Sequence, residues 1–144
     1  MTPIGFTGTR LGMTGRQQTT VSELLRDLNG TAAHHGDCVG ADADFHRLAR
    51  ATGAWIVGHP PTDPRLRAFC DFDEERPPLP YLVRNEAIVT ETDLLIAAPA
   101  TATEEQTGGT WHTVRCARRV GRRVVIVWPN GTLRYIVRLT EATR

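Results

Sequence analysis

The sequence predicts an α/β fold: one Rossmann-like domain over residues 1–144, with a doubly wound parallel sheet of about five strands and helices on both faces. Short apolar runs alternate with amphipathic segments along the chain, and this β-α order requires parallel strands joined by right-handed crossovers. Residues 93–98 are almost continuously apolar, as expected for a strand covered on both faces. The predicted strand order is 3-2-1-4-5, which places a ligand where the winding reverses.

The first half of the chain supplies three of the five strands. Residues 4–7 form a short apolar run near the start, and residues 19–28 carry apolar side chains at helical spacing. The pair Asn29-Gly30 is a typical helix stop. The elements predicted next are a strand over 31–35, a helix over 41–51 and a strand over 55–58.

The second half follows a long irregular connection. Residues 59–80 hold six prolines and an acidic run, and loops of this length in compact domains often act as lids or binding loops. Residues 132–144 alternate in polarity, as a short edge strand would, but their pattern is ambiguous. The other predicted elements are helices over 81–90 and 110–120 and strands over 93–98 and 123–128.

Composition excludes several classes of function. The chain has no lysine, which rules out Schiff-base chemistry and a P-loop lysine, and its single serine, Ser22, falls inside a predicted helix. A formal net charge of +1 argues against nucleic-acid partners. Neither the three cysteines nor the histidines show metal-ligand spacing, so no metal is expected. Without a long apolar run or a signal peptide, we expect a cytoplasmic location and no membrane partner.

Three Gly-rich loops follow predicted strands and precede predicted helices: residues 8–15, 36–42 and 108–110. Free N–H groups and the helix dipole favour an anion at such helix starts. The loops therefore predict a phosphate or nucleotide site. The candidate ligand-binding residues are Thr7, Gly8, Thr9, Arg10, Gly36, Asp37, Gly40, Asp42, Arg84, Asn85, Gly108, Gly109 and Thr110.

Individual side chains in this set allow more than one interpretation. Arg84 lies in an otherwise apolar helical stretch and is the expected anchor for the ligand anion; the alternative is a surface arginine paired with Glu86 or Glu91. Asp37 and Asp42 would fix the loop, cap the helix or bind a ribose hydroxyl. A dinucleotide is disfavoured because GxGxxG is absent and His35 ends the second strand, so no cofactor is expected.

These motifs, in this order, resemble the SLOG superfamily of Rossmann-like proteins. That group includes the lonely-guy phosphoribohydrolases, also described as lysine decarboxylase-like, the YpsA-type proteins and the DNA-processing protein DprA. The resemblance covers about residues 4–129. The matching segments are 5–10, 35–42, 84–85, 93–98 and 108–110.

The resemblance implies a nucleotide or similar phosphorylated ligand with its phosphate at Gly109-Thr110. It also implies a homodimer, for which an exposed Trp111 or Trp128 would suit the interface. In the related hydrolases a glutamate shortly after the Gly-Thr pair serves N-glycosidic cleavage, and Thr113 stands there in this chain. Thr113 is therefore counted among the ligand-contacting residues.

The replaced glutamate favours ligand binding, as in a sensor, over catalysis. The alternative function is a nucleoside 5′-monophosphate N-glycosidase of the lonely-guy type. In that case Arg84 would act together with a substitute carboxylate, for which the candidates are Asp37, Asp42 and Glu86. Single-stranded nucleic-acid binding of the DprA type is a third interpretation and would use the arginines between residues 115 and 123.

Overall fold

In the part of the chain that the structure describes, seven strands form one mostly parallel sheet with four α-helices around it. The computed structural model describes residues 2–29 and 32–136. The sheet order is β4-β3-β2-β1-β5-β6-β7, and all neighbours are parallel except β7, which is antiparallel to β6. The elements are β1 (Ile4–Gly8), α1 (Gly15–Leu28), β2 (Ala32–His35), α2 (Ala41–Ala51), β3 (Trp55–Gly58), β4 (Glu74–Glu75), α3 (Tyr81–Thr90), β5 (Leu94–Ala98), α4 (Gly109–Arg119), β6 (Arg123–Val127) and β7 (Leu133–Ile136).

The predicted doubly wound sheet is confirmed, with two more strands than expected. The five predicted strands occupy the centre in the predicted order, here β3-β2-β1-β5-β6. The strand β4 lies inside the Pro-rich segment and pairs only with Val57 and Gly58, so it is too short to show a sequence period. The edge strand β7 comes from the alternating segment, of which residues 137–144 lie outside the described part of the chain.

Both faces of the sheet are covered by helices, as predicted. On one face Phe6 of β1 stacks on Phe45 of α2, with ring centroids 4.4 Å apart. On the other face Ile88 of α3 belongs to a core cluster with residues of α4 and β6.

Trp111 belongs to this second cluster and is 4% exposed, so the expectation that it is free for an interface is wrong. The homodimer stays a prediction. None of the helices in the described ranges has the length and apolarity needed to cross a membrane.

The helix α1 begins at Gly15, four residues before the predicted start. Thr14 forms a capping box with Gln17: the Thr14 Oγ1 accepts from the Gln17 amide at 3.0 Å, and the Gln17 Oε1 accepts from the Thr14 amide at 2.9 Å. The Gln17 Nε2 also donates to the carbonyls of Pro99 and Val127, at 2.8 and 3.0 Å. This buried amide therefore joins α1 to the ends of β5 and β6.

Replacing Gln17 with leucine should lower the free energy of unfolding by about 2–3 kcal/mol, because each buried polar group left without a partner costs about 1–3 kcal/mol. Urea unfolding followed by circular dichroism measures the change. The control is Thr19→Ala, an exposed change on the same helix, which should stay within about 0.5 kcal/mol of the parent. Equal stability of the two variants would show that the Gln17 contacts are not stabilising.

Candidate functional site

A cavity of about 670 Å³ opens at the carboxyl ends of β1 and β5, where the winding of the sheet reverses. We call it the outer cavity. Its walls are the loop after β1, the loop after β5 and the first turn of α4. This is the position that the predicted topology assigned to a ligand. The predicted residues that line it are Gly8, Thr9, Arg10, Gly108, Gly109 and Thr110.

The first turn of α4 is suited to an anion. Gly108 is the N-cap residue, with φ at 100°, and no side chain makes a capping hydrogen bond to this helix end. The amides of Gly109 and Thr110 lie in the first turn, where N–H groups have no partner within the helix. Together with the helix dipole, this leaves partial positive charge at the wall of the cavity.

Two arginines line the outer cavity, and they differ in how they are engaged. Arg115 donates to the Glu104 carboxylate at 3.3 Å and to the carbonyls of Glu105 and Gln106 at 3.0 and 2.9 Å, so it holds the loop after β5. Arg10 is exposed, and its guanidinium carbon lies 5.4 Å from the ring centroid of Tyr81. Within residues 2–29 and 32–136, the Arg10 guanidinium makes no hydrogen bond or ion pair. Arg10 is therefore the cation available to a ligand there.

A second, smaller pocket lies behind the outer cavity and holds about 20 Å³. We call it the inner pocket. Its walls include Thr7, Gly36, Asp42, Arg84 and Asn85 from the predicted set, and it shares Gly8 and Arg10 with the outer cavity. The fold therefore places the predicted residues in two adjoining compartments.

Arg84 is 2% exposed and bonds mostly to the protein itself. Its Nε donates to the Asn85 Oδ1 at 2.7 Å, and its Nη1 donates to the carbonyls of Gly36 and His59. Its Nη2 faces the sulfur of Cys38 at 3.6 Å. The alternative of a surface arginine paired with glutamate is therefore wrong. Most Arg84 donors are engaged by the protein itself, and its role as the anchor for a ligand anion stays a prediction. In the described conformation Arg10 is better placed than Arg84 to anchor an anion.

Tyr81 lies where the two compartments adjoin. It lines both of them, and its ring lies 5.4 Å from the guanidinium carbon of Arg10 and 5.0 Å from that of Arg84. Its hydroxyl rests against Gly109, where a Cβ atom would overlap it. A glycine at this helix start is thus required by the protein's own packing.

The loop of residues 36–40 is held by side chains rather than open to a ligand. Asp37 is fully buried; its Oδ2 accepts from Arg67 at 2.7 Å and its Oδ1 accepts from the Cys70 amide at 2.9 Å. Of the predicted roles for Asp37, the structure shows loop fixing. Gly40 has φ at 93° and lies against the backbone of Arg10, where no side chain would fit.

Asp42 is buried at the start of α2 and lines the inner pocket. Its Oδ2 accepts from the Cys38 amide at 3.1 Å. Burial raises the pKa of Asp42 to about 6, although the positive charge of Arg84 opposes the shift. This carboxyl therefore releases its proton near neutral pH.

Some predicted residues line neither compartment. Thr113 is fully buried and its hydroxyl donates to the carbonyl of Gly109 at 2.8 Å. The others are Asp37, Gly40 and Glu86. The sequence interpretation did not single out Tyr81, Glu105 and Arg115 as parts of the outer cavity. Tyr81 could have been found from its position three residues before Arg84, since residues at this spacing share a helix face.

The fold also pairs four histidines that are separated in sequence. His34 and His59 lie with ring nitrogens 2.8 Å apart, and His35 and His46 with ring nitrogens 2.9 Å apart. Burial lowers the pKa of all four rings, that of His59 to about 3, and thereby favours their neutral forms.

The two histidine pairs have neighbours of metal-ligating type, Glu91 beside the first and Cys70 beside the second. At 2.8–2.9 Å each pair is at hydrogen-bonding distance, with one proton between the two rings. The His35 Nδ1 also accepts from the Asp37 amide at 3.0 Å, which leaves the ring proton on the nitrogen that faces His46. Hydrogen bonding accounts for this arrangement, and the absence of a metal stays a prediction.

Several solved structures share the fold of this chain. No family model and no curated protein matches the chain. A molybdenum cofactor binding protein from the phototrophic bacterium Rippkaea orientalis is similar, with a TM-score of 0.68 and 20% identity over 88% of this chain and 76% of that one. The molybdenum cofactor carrier protein from Chlamydomonas reinhardtii has a TM-score of 0.62 and 19% identity over 86% of this chain and 74% of that one.

DprA from Streptococcus pneumoniae also has this fold, with a TM-score of 0.65 and 18% identity over 86% of this chain. The chain spans 49% of that protein's length. The chain therefore has the Rossmann-like fold of these proteins, and the resemblance predicted from its motifs is confirmed at the level of the fold.

The raised pKa of Asp42 predicts a pH-dependent stability. The folded protein holds this proton up to about pH 6, whereas the unfolded chain releases it near pH 3.8, so the carboxyl lowers the free energy of unfolding as pH rises between these values. A pKa shift of about two units corresponds to a change of about 3 kcal/mol in the free energy of unfolding.

Asp42→Asn should therefore gain stability relative to the parent, by up to about 3 kcal/mol, between pH 4 and pH 7. Urea unfolding of both proteins at several pH values measures this difference in the free energy of unfolding. The histidines are the same in both proteins, so their contributions cancel in the difference. Asp27→Asn, an exposed change on α1, serves as the control and should show no such trend. A constant difference between Asp42→Asn and the parent at all pH values would contradict the assignment.

Proposed function

We propose that this protein binds a small phosphorylated ligand, a nucleotide or a nucleotide-like molecule, in the outer cavity. The observation that supports this most is the uncapped start of α4 beside the unpaired guanidinium of Arg10. A volume of about 670 Å³ is also in the range of small-molecule sites, which is about 300–1,000 Å³.

The phosphate would accept hydrogen bonds from the amides of Gly109 and Thr110 and from the Thr110 hydroxyl. The Arg10 guanidinium would contact the same phosphate from the opposite wall. The remainder of the ligand would lie along the loop after β5, which Arg115 holds in place. Two of the structures with this fold are described as molybdenum cofactor binding or carrier proteins, and this supports small-ligand binding as the class of function.

Binding without hydrolysis is the better supported activity. None of the candidate carboxylates Asp37, Asp42 and Glu86 lines the outer cavity. Glu105 does, but it is exposed on the loop after β5, where water competes for its charge. The position of the hydrolases' glutamate is taken by Thr113, which bonds to the backbone of its own helix. We therefore propose a binding or sensing role in the cytoplasm.

Nucleic-acid binding receives less support. Arg115 and Arg118 share the Glu104 carboxylate, at 3.3 and 3.1 Å, so the charge of these two arginines is partly compensated and their contribution to a basic face is reduced. A strong phosphate-backbone contact would need such a face.

Arg10→Ala should weaken nucleotide binding by about tenfold, because a charge-assisted hydrogen bond contributes about 1.5–3 kcal/mol and Arg10 is exposed. Isothermal titration calorimetry with AMP measures the change. Arg26→Ala, an exposed arginine on α1, is the matched control and should bind as the parent does. If a panel of nucleoside mono-, di- and triphosphates at millimolar concentration fails to raise the melting temperature of the parent, the proposed function is wrong.

Hydrolysis of AMP or CMP to free base and ribose phosphate should be absent, because no buried carboxylate reaches the outer cavity. Chromatography of overnight incubations detects the free base. Turnover near the usual enzyme value of about 10 per second would instead support the N-glycosidase. A Thr113→Glu variant offers a further comparison, since it restores the residue type of the related hydrolases.

A further inference from the structure

The ring of Tyr81 lies near two guanidinium groups. The guanidinium carbon of Arg10, which lines both compartments, is 5.4 Å from the ring centroid, and that of Arg84, which lines the inner pocket but not the outer cavity, is 5.0 Å away. The Tyr81 hydroxyl rests on Gly109, so the ring spans from the start of α3 to the start of α4. A ligand at the start of α4 therefore meets this ring before it meets Arg84.

The inner pocket is too small for an anion while the ring is in place. Its volume of about 20 Å³ suits one water molecule, which needs about 10–15 Å³, and excludes a phosphate group. Arg84 nevertheless has one weakly engaged nitrogen there. Its Nη2 has the Cys38 sulfur at 3.6 Å as its acceptor among the described residues, and a thiol is a weak acceptor.

We propose that Tyr81 is a specificity-determining residue of the proposed nucleotide site: its ring closes the inner pocket and keeps Arg84 away from the ligand. With the ring present, one guanidinium and one helix start are available, which matches a single phosphate group. Without the ring the two compartments join, and a second phosphate reaches the Nη2 of Arg84. This inference rests on the proposed function.

The test compares AMP with ADP by isothermal titration calorimetry on the parent, Tyr81→Ala and Tyr81→Phe. Tyr81→Ala should shift the ratio of the two dissociation constants towards ADP by about tenfold, since the second phosphate gains a charge-assisted hydrogen bond. Tyr81→Phe keeps the ring and should leave the ratio within about twofold of the parent. Tyr81→Leu replaces Tyr81→Ala if the alanine variant does not fold by circular dichroism.

A second substitution tests whether the shift in the AMP-to-ADP ratio comes from Arg84. In the Tyr81→Ala background, Arg84→Lys removes the guanidinium fork but keeps the charge, and it should reverse most of the gain for ADP. An unchanged AMP-to-ADP ratio in Tyr81→Ala and Tyr81→Leu overturns the role of Tyr81, as does an equal shift in Tyr81→Phe. Binding of neither nucleotide to the parent or to any variant overturns the proposed function, and this inference with it.

Discussion

The buried guanidinium of Arg84 joins three segments that meet at the carboxyl edge of the sheet. It belongs to α3 and donates to the carbonyl of Gly36 after β2 and to the carbonyl of His59 after β3. A buried charge is tolerated only when its donors have hydrogen-bond partners, so the buried Arg84 requires these two carbonyls and the Asn85 Oδ1. It also requires glycine at position 36, because a Cβ atom there would overlap the Arg84 guanidinium.

The two compartments of the candidate site differ in whether their polar groups are already engaged by the protein. The inner pocket is filled by groups that hold the loops together, namely Arg84, Asn85 and the carboxyl of Asp42. The outer cavity has free donors in its wall, at the start of α4 and at Arg10. Tyr81 lines both compartments, and its ring lies near the guanidiniums of both Arg10 and Arg84.

The Pro-rich segment of residues 59–80 belongs to the framework behind this site. Arg67 and the amide of Cys70 both bond to the carboxylate of Asp37, and the Asp73 carboxylate accepts from Arg50 at 2.8 Å. The short strand β4 adds the segment to the edge of the sheet. The expectation of a lid or binding loop receives no support from these contacts, which fix the segment to the loop after β2, to α2 and to β3.

The sequence by itself determined the order of the five central strands and the two helical layers, and it predicted the edge of the sheet at which the outer cavity opens. Each of these follows from local patterns, the alternation of apolar runs with amphipathic segments and the glycines at strand ends. The tertiary structure alone decided which arginine faces the cavity, because Arg84 meets partners 48 and 25 positions away. It also decided that Tyr81 lines both compartments and that the histidines pair, since contacts between residues distant in sequence leave no local period to detect.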